Sequence, residues 1–217
     1  MKIQYAIDGP PFGPPISEAQ EIANKIREYI DIIELGEGMI FRHSFGALTM
    51  FKNVFPEKKI LADIKIMDDG YHHTTNAIKF GADIVTVCAT ASENTIRGVV
   101  QAAKELGKES WVDFIGVPIA DYEKYVDYIN EIGPDYVCAH MSSDISTIGT
   151  DGHQQTKKEM IDTIAKLQFN AKIVLSGGIT LDDMDVIKAA NPHHVNIGSA
   201  FNKAEDPAAL AKAFFDA

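Results

Sequence analysis

Short apolar runs, each too brief for a buried helix and rich in β-branched side chains, recur along the whole chain: IQYAI, DIIEL, KILADI, DIVTV, SWVDFI, DYVCA, AKIVLS and HVNIG. Between them lie segments with three-to-four-residue apolar spacing, among them SEAQEIANKIREYI, FGALTMFKNVF, HTTNAIKFG, NTIRGVVQAAKELG and ADYEKYVDYINEIG. Gly81, Gly107 and Gly133 follow such stretches as helix stops, and Asp83 and Asp135 lead into the next runs. The order is therefore βα repeated eight times. A strand-to-strand spacing of about 25 to 30 residues leaves little chain for a second unit, so the pattern predicts a single (β/α)8 TIM barrel over residues 1–217. A doubly wound open sheet is the alternative, but its GxGxxG fingerprint is missing: the first βα turn reads DGPPFGPP.

The composition, 46% hydrophobic and 24% charged, supplies one sizeable core and excludes a disordered or low-complexity chain. A formal net charge of −11 creates a field that repels nucleic acid and anionic membranes, so neither is an expected partner. An anionic small molecule can still be held by backbone N–H groups. Cys88 and Cys138 sit in apolar runs without CxxC or Cys/His ligand spacing, and are expected to be buried reduced thiols of a cytoplasmic protein. The opening MKIQYAIDG is interrupted by Gln4 and Asp8, so it is not expected to act as a signal peptide. No run approaches the ~20 apolar residues of a membrane span.

A barrel of this kind carries its chemistry at the C-terminal ends of the strands. The polar residues there are Asp8, Glu34, Asp63, Lys65, Asp68, Asp113, His140, Ser176 with Gly177 and Gly178, and Gly198 with Ser199; strand four ends in Thr86 and Thr90 and offers no ionisable group. In ADIKIMDD a period of two puts Asp63 and Lys65 on one face, pointing into the mouth. An ammonium kept charged by carboxylates, Asp68 among them, can stabilise a developing oxyanion; the bland alternative is a salt bridge that closes the barrel top. Glu34 stands in DIIELG where an apolar residue is expected, and a buried carboxylate requires a cation. On adjacent strands, Glu34 and Asp63 could supply part of an octahedral oxygen site for Mg2+, which carboxylates alone do not separate from Mn2+. The metal-free alternative is a Glu34–Lys65 ion pair.

The motifs SGGI and NIGSAF follow strands seven and eight, where phosphate-binding barrels place backbone amides. Gly177 and Gly178 admit close approach of the backbone, and Gly198 and Ser199 add further amides and a hydroxyl. A phosphorylated small molecule is the expected ligand, with simple tight turns as the alternative. His140 closes DYVCAH at the same mouth and is a candidate acid or base. His72 and His73 would point about 100° apart on a helix, too far to share one metal, and read as solvated or interfacial. His193 and His194, beside Pro192 before strand eight, fall at the opposite end of the barrel and read as structural.

The pattern Asp63, Lys65 and Asp68, a D-x-K-x-x-D motif, resembles the orotidine monophosphate decarboxylase suprafamily, and Asp8 in AIDG and Glu34 in DIIELG resemble its sugar-phosphate branch. DIIELG, ADIKIMDDG, GADIVTV, VDFIG and AEDPAA are most similar to the 3-hexulose-6-phosphate synthases, over nearly the whole chain. The resemblance implies a Mg2+-dependent carbon–carbon lyase that joins formaldehyde to D-ribulose 5-phosphate through an enediolate. It puts Glu34 and Asp63 on the metal, Lys65 at the enediolate oxygens and His140 as the proton shuttle; Asp8 joins Lys65, Asp68 and His140 as a candidate catalytic residue, and Asp8 and Asp113 are candidates for binding the substrate. It also implies a homodimer in which Asp68 reaches the second subunit's site. Three features depart from that pattern: the proline-rich GPPFGPP after Asp8, the segment Met141 to Gln155 after His140, and Ser199 where many relatives carry Arg. The sister 3-keto-L-gulonate-6-phosphate decarboxylases are less similar, with a fifth-strand Glu and an Arg where this chain has Asp113 and Ser143. Another ketose-phosphate lyase or epimerase, and a non-catalytic sugar-phosphate-binding barrel, are the remaining readings; metal-dependent turnover separates the last from the rest.

Overall fold

A computed structural model describes residues 1–11, 13–143 and 153–217, apart from the side chains of 153–155. Eight parallel strands close in chain order into a barrel: β1 (Lys2–Ile7), β2 (Ile32–Leu35), β3 (Lys59–Ile66), β4 (Ile84–Cys88), β5 (Glu109–Asp113), β6 (Tyr136–His140), β7 (Lys172–Ser176) and β8 (His194–Ile197). Each apolar run read from the sequence overlaps one of them. Closure is made by β8 against β1, with Gln4 opposite Asn196, so no strand edge is left open.

The period of two divides each strand between two cores. Outward residues such as Ile33, Ile60, Val85, Val112 and Val137 pack beneath the helices in one large cluster. Inward, Ile32, Leu61, Ile84, Trp111, Tyr136, Cys138 and Val174 fill the barrel. One step of the period further along the same strands stand Glu34, Asp63, Thr86, Asp113, His140 and Ser176, with Asn196 at the matching place on β8 after His194. The polar residues that break the apolar runs thus share the inner face and form the floor of the mouth. Cys88 and Cys138 are both free and buried, as expected. Among the described residues, no helix is long and apolar enough to cross a membrane.

The helices differ from the sequence reading in detail. The first ends at Lys25, although Ile26 and Ile30 are still buried, because the apolar spacing of SEAQEIANKIREYI continues through a turn. ADYEKYVDYINEIG is helical in two pieces, a 3-10 stretch Ile119–Tyr125 and an α-helix Val126–Ile132, stopped by Gly133 at φ 72°. A helix Glu37–His43, too short to show a period in the sequence, follows β2 directly and brings Glu37 to the mouth.

Trp111 is the largest side chain of the inner cluster, with ring centroids 5.6 Å from Tyr136 and 5.4 Å from His194. Trp111→Ala should cost about 3–5 kcal/mol, the usual range for emptying such a site, read by urea unfolding. A loss under ~1 kcal/mol would mean that the interior is not close-packed around the indole.

Candidate active site

Asp63 and Lys65 both reach the mouth, but β3 is not regular where they sit. It pairs with β4 at Ala62–Val85 and resumes at Ile66–Val87, and between these Lys65 has φ 42°, a left-handed conformation uncommon for a residue with a Cβ. The Thr86 hydroxyl occupies the break. Its Oγ1 accepts the Ile64 N–H (3.1 Å) and the Lys65 N–H (3.0 Å) and donates to Asp63 Oδ1 (2.9 Å). One side chain of β4 therefore replaces the lost ladder partners and pins the carboxylate. The Lys65 ammonium is ion-paired with Asp63 Oδ2 and with Glu37 Oε2 at 3.1 Å. Burial alone would lower its pKa; the Asp63 charge and hydrogen bond, then Glu37 and Asp113, outweigh burial and raise it, so the lysine stays charged.

Glu34 is buried and receives Gln4 Nε2 and Asn196 Nδ2, the latter at 2.6 Å, on a single oxygen. Lys65 pairs elsewhere, so the Glu34–Lys65 ion pair weighed from the sequence is not formed. Burial and then the Asp63 carboxylate push the Glu34 pKa well up, with Asp8 adding to it. The Asp8 pKa is raised by the same two causes in the same order, although its side chain opens to solvent at the mouth. Carboxylates that destabilise one another's charge are the donor set a hard divalent cation would relieve, and the oxygens of Glu34 and Asp63 fit that role. A second set, Asp113, Cys138 and His140, has its ligand atoms within 4.8 Å of one another. Burial, and then Asp113, hold the Cys138 thiol well above its usual pKa, and a soft sulfur and an imidazole nitrogen are not the oxygen donors Mg2+ takes, so this set does not suit it.

His140 Nδ1 lies 2.9 Å from Asp113 Oδ2 and 3.1 Å from Oδ1, and Asp113 Oδ1 also accepts the Ile115 N–H at 2.8 Å. Burial works to lower the imidazole pKa, but the Asp113 charge and hydrogen bond reverse that and raise it. The Asp113 pKa falls in spite of its own burial, chiefly through His140. Pairing through Nδ1 makes Nε2 the nitrogen available to a substrate proton. Asp113, read from the sequence as a substrate-binding residue, is placed against the imidazole.

At the far side of the mouth, Gly177 (φ 104°) and Gly178 (φ 62°) shape the loop after β7. A Cβ at Gly177 would lie 2.3 Å from the Met141 carbonyl oxygen, so only glycine fits. The loop is fastened from behind by Lys157, a buried lysine of the helix His153–Ile164. Its Nζ donates to the Gly178 carbonyl (2.8 Å) and pairs with Asp183 (2.7 Å), which also accepts the Thr180 N–H at 2.8 Å. The Ser176 hydroxyl is buried and accepts from Asn196 Nδ2 at 3.1 Å. Gly198 precedes the short helix Ser199–Lys203, with Ser199 exposed at its first position.

Asp68 is not drawn into this cluster: it is exposed, and its Oδ1 accepts the neighbouring Asp69 N–H at 2.8 Å. His72 is solvated, bonded to Asp69, as read from the sequence. Phe12 of GPPFGPP, and residues 144–152 of the segment Met141 to Gln155, lie outside the described residues. Gln4, Glu37, Thr86, Lys157 and Asn196 were not singled out. Gln4 and Asn196 carried the same signal as Glu34, a polar residue on the inner face of an apolar strand.

Because its pKa is raised, His140 stabilises the fold fully below about 6.5, and that contribution fades as pH rises through the folded value. Asp113→Asn should bring the His140 pKa down, below that of the wild type, since the largest charge opposing burial is then gone and only the smaller effect of Asp63 remains against it; an NMR titration of the imidazole reads it. An unchanged pKa would separate the two residues.

The sequence profile of the "Orotidine 5'-phosphate decarboxylase / HUMPS family" matches residues 1–214. A protein of Staphylococcus saprophyticus named 3-hexulose-6-phosphate synthase 3 is 34% identical over 217 residues, covering 100% of this chain and 98% of the relative. The crystal structure of 3-hexulose-6-phosphate synthase from Salmonella typhimurium superimposes with a TM-score of 0.89 at 32% identity, covering 100% of this chain and 97% of that one. The 3-keto-L-gulonate-6-phosphate decarboxylase of Vibrio cholerae shares the fold, with a TM-score of 0.79 at 23% identity, over 99% of this chain and 95% of that one.

Proposed function

As the chain belongs to the orotidine 5'-phosphate decarboxylase / HUMPS family, we propose that it is a carbon–carbon lyase of the 3-hexulose-6-phosphate synthase kind, condensing formaldehyde with D-ribulose 5-phosphate. The observation that carries this reading is the charged Lys65, framed by Asp63 and Glu37, at the same mouth as the His140–Asp113 pair. One group can stabilise negative charge on oxygen and the other can move a proton. Full-length likeness to relatives bearing that name supports it.

In this reaction a C1 proton of the ketose leaves, its electron pair forms the C1–C2 double bond, and charge develops on the C2 oxygen. The C1 carbon of the enediolate then attacks the formaldehyde carbon, and the new alkoxide is protonated. Lys65 is the ammonium that faces the developing oxyanion. His140 carries the proton through Nε2, with Nδ1 anchored on Asp113. Glu34 and Asp63 would hold a divalent cation, Mg2+ or the chemically close Mn2+. When bound, such a cation supplies Lewis-acid stabilisation of oxygen charge. Asp8 and Ser176 would meet sugar hydroxyls, and the amides around Gly177, Gly178, Gly198 and Ser199 would take the phosphate. The exposed Asp68 beside Met67, itself 53% exposed, suits a homodimer in which Asp68 completes the site of a second copy. A cytoplasmic location accords with two free buried thiols.

The test is to incubate the Mg2+-loaded protein with ribulose 5-phosphate plus formaldehyde, and separately with 3-keto-L-gulonate 6-phosphate. Formaldehyde should be consumed in the first and no CO2 released in the second, and chelation should abolish the activity. Lys65→Ala should lose at least ~100-fold in turnover with a smaller change in KM, as for removal of one preorganised group at an oxyanion. CO2 release alone would overturn the assignment, and near-wild-type turnover would return Lys65 to a structural ion pair.

A further inference from the structure

Among the described residues, every hydrogen bond to the Glu34 carboxylate ends on Oε2, which takes both Gln4 Nε2 and Asn196 Nδ2. The donors come from the two strands beyond β2 in the closed barrel, with Gln4 on β1 opposite Asn196 on β8. Neither amide reaches bulk water: Gln4 is fully buried and Asn196 is 8% exposed.

The orientation of Gln4 is set from below. Its Oε1 lies 2.9 Å from His194 Nε2, and His194 Nδ1 lies 3.0 Å from His193 Nδ1. Gln4 turns its NH2 to Glu34 and its carbonyl to His194, the orientation that a cation-bound carboxylate, which only accepts, would require. That carbonyl is satisfied only if His194 carries its proton on Nε2, which leaves Nδ1 to accept from the Nδ1–H of His193. The chain of donors runs in one direction, His193 to His194 to Gln4 to Glu34, from the N-terminal end of the barrel to the mouth. Burial, helped by His193 and the nearby Lys2, Lys172 and Lys59, keeps His194 neutral, as this requires. The rest of the interior at this level is apolar, Ile32, Leu61, Ile84, Trp111 and Tyr136. Buried amides and an imidazole there cost desolvation that aliphatic side chains would avoid.

The geometry points to Gln4, Asn196 and His194 as positioning residues that hold Glu34 by Oε2 and present Oε1 to the divalent cation. His194 acts without touching the carboxylate, by forbidding the amide flip of Gln4. This inference rests on the reading of Glu34 as a cation ligand.

Calorimetric titration of Mg2+ into the metal-free enzyme, compared across the wild type, Glu34→Gln, Gln4→Met, Asn196→Ala, His194→Phe and His194→Gln, tests it. Loss of a hydrogen bond behind a metal ligand typically weakens metal affinity 10- to 100-fold, so Gln4→Met, Asn196→Ala and His194→Phe should fall in that range. His194→Gln, whose amide can still donate to Gln4, should bind more tightly than His194→Phe. Wild-type Mg2+ affinity in folded Gln4→Met and Asn196→Ala, with binding lost in Glu34→Gln, would overturn the inference and leave the ligand assignment standing. Undiminished affinity in Glu34→Gln would overturn both. The wild type supplies a check that needs no variant to fold: NMR of 15N-labelled histidine should find His194 neutral and protonated on Nε2, and a cationic or Nδ1-protonated ring would contradict the chain.

Discussion

A lysine ammonium inside a barrel mouth persists only if carboxylates hold its charge, and the Lys65–Asp63 pair is the contact around which the other parts of this site are arranged. To bring both side chains together, β3 leaves its regular ladder and Lys65 takes a left-handed backbone conformation. The backbone N–H groups of Ile64 and Lys65 that this strands are part-buried donors, and Thr86 satisfies both while bonding Asp63. Glu37 adds a second carboxylate from a helix that starts immediately after β2. A left-handed residue in β3, a neighbouring hydroxyl and a short helix thus all serve one part-buried charge.

The period of two along the strands distributes the work. Inward positions pack the barrel with Ile32, Leu61, Ile84, Trp111 and, on β6, Tyr136 and Cys138, and the next position on each strand delivers Glu34, Asp63, Thr86, Asp113 and His140. At the mouth the polar groups share one level, where they can bond one another and face substrate, above a dry and rigid apolar layer. Gln4 and His194 are the exception, a polar thread through that layer, and it ends on Glu34.

How much of this could be read from residues alone depended on the range of the interaction. The eight strands were legible because β-branched runs such as DIVTV and AKIVLS declare themselves locally, and Glu34 and Lys65 were legible because ionisable groups interrupt such runs. Partners were not, since they depend on register across strands. Asp113 was read as facing substrate, and only the β5–β6 pairing puts its carboxylate on His140. Thr86 was set aside for lacking a charge, yet its value is the geometry of one oxygen beside a bulge. Asp68 was grouped with Lys65 by motif, whereas the chain turns after Ile66 and leaves it exposed. EGMIFRH was too short for a helical period to emerge, so Glu37 went unnoticed.

The central claim is that this constellation removes a C1 proton from a ketose phosphate and holds the resulting enediolate. It is tested most directly by incubating the Mg2+-loaded protein with ribulose 5-phosphate in D2O, without formaldehyde, and following the C1 hydrogens by proton NMR. The account predicts deuterium wash-in at C1 that stops on chelation and is lost in Lys65→Ala. A protein that binds the sugar phosphate with Mg2+ present and leaves C1 unexchanged would contradict it.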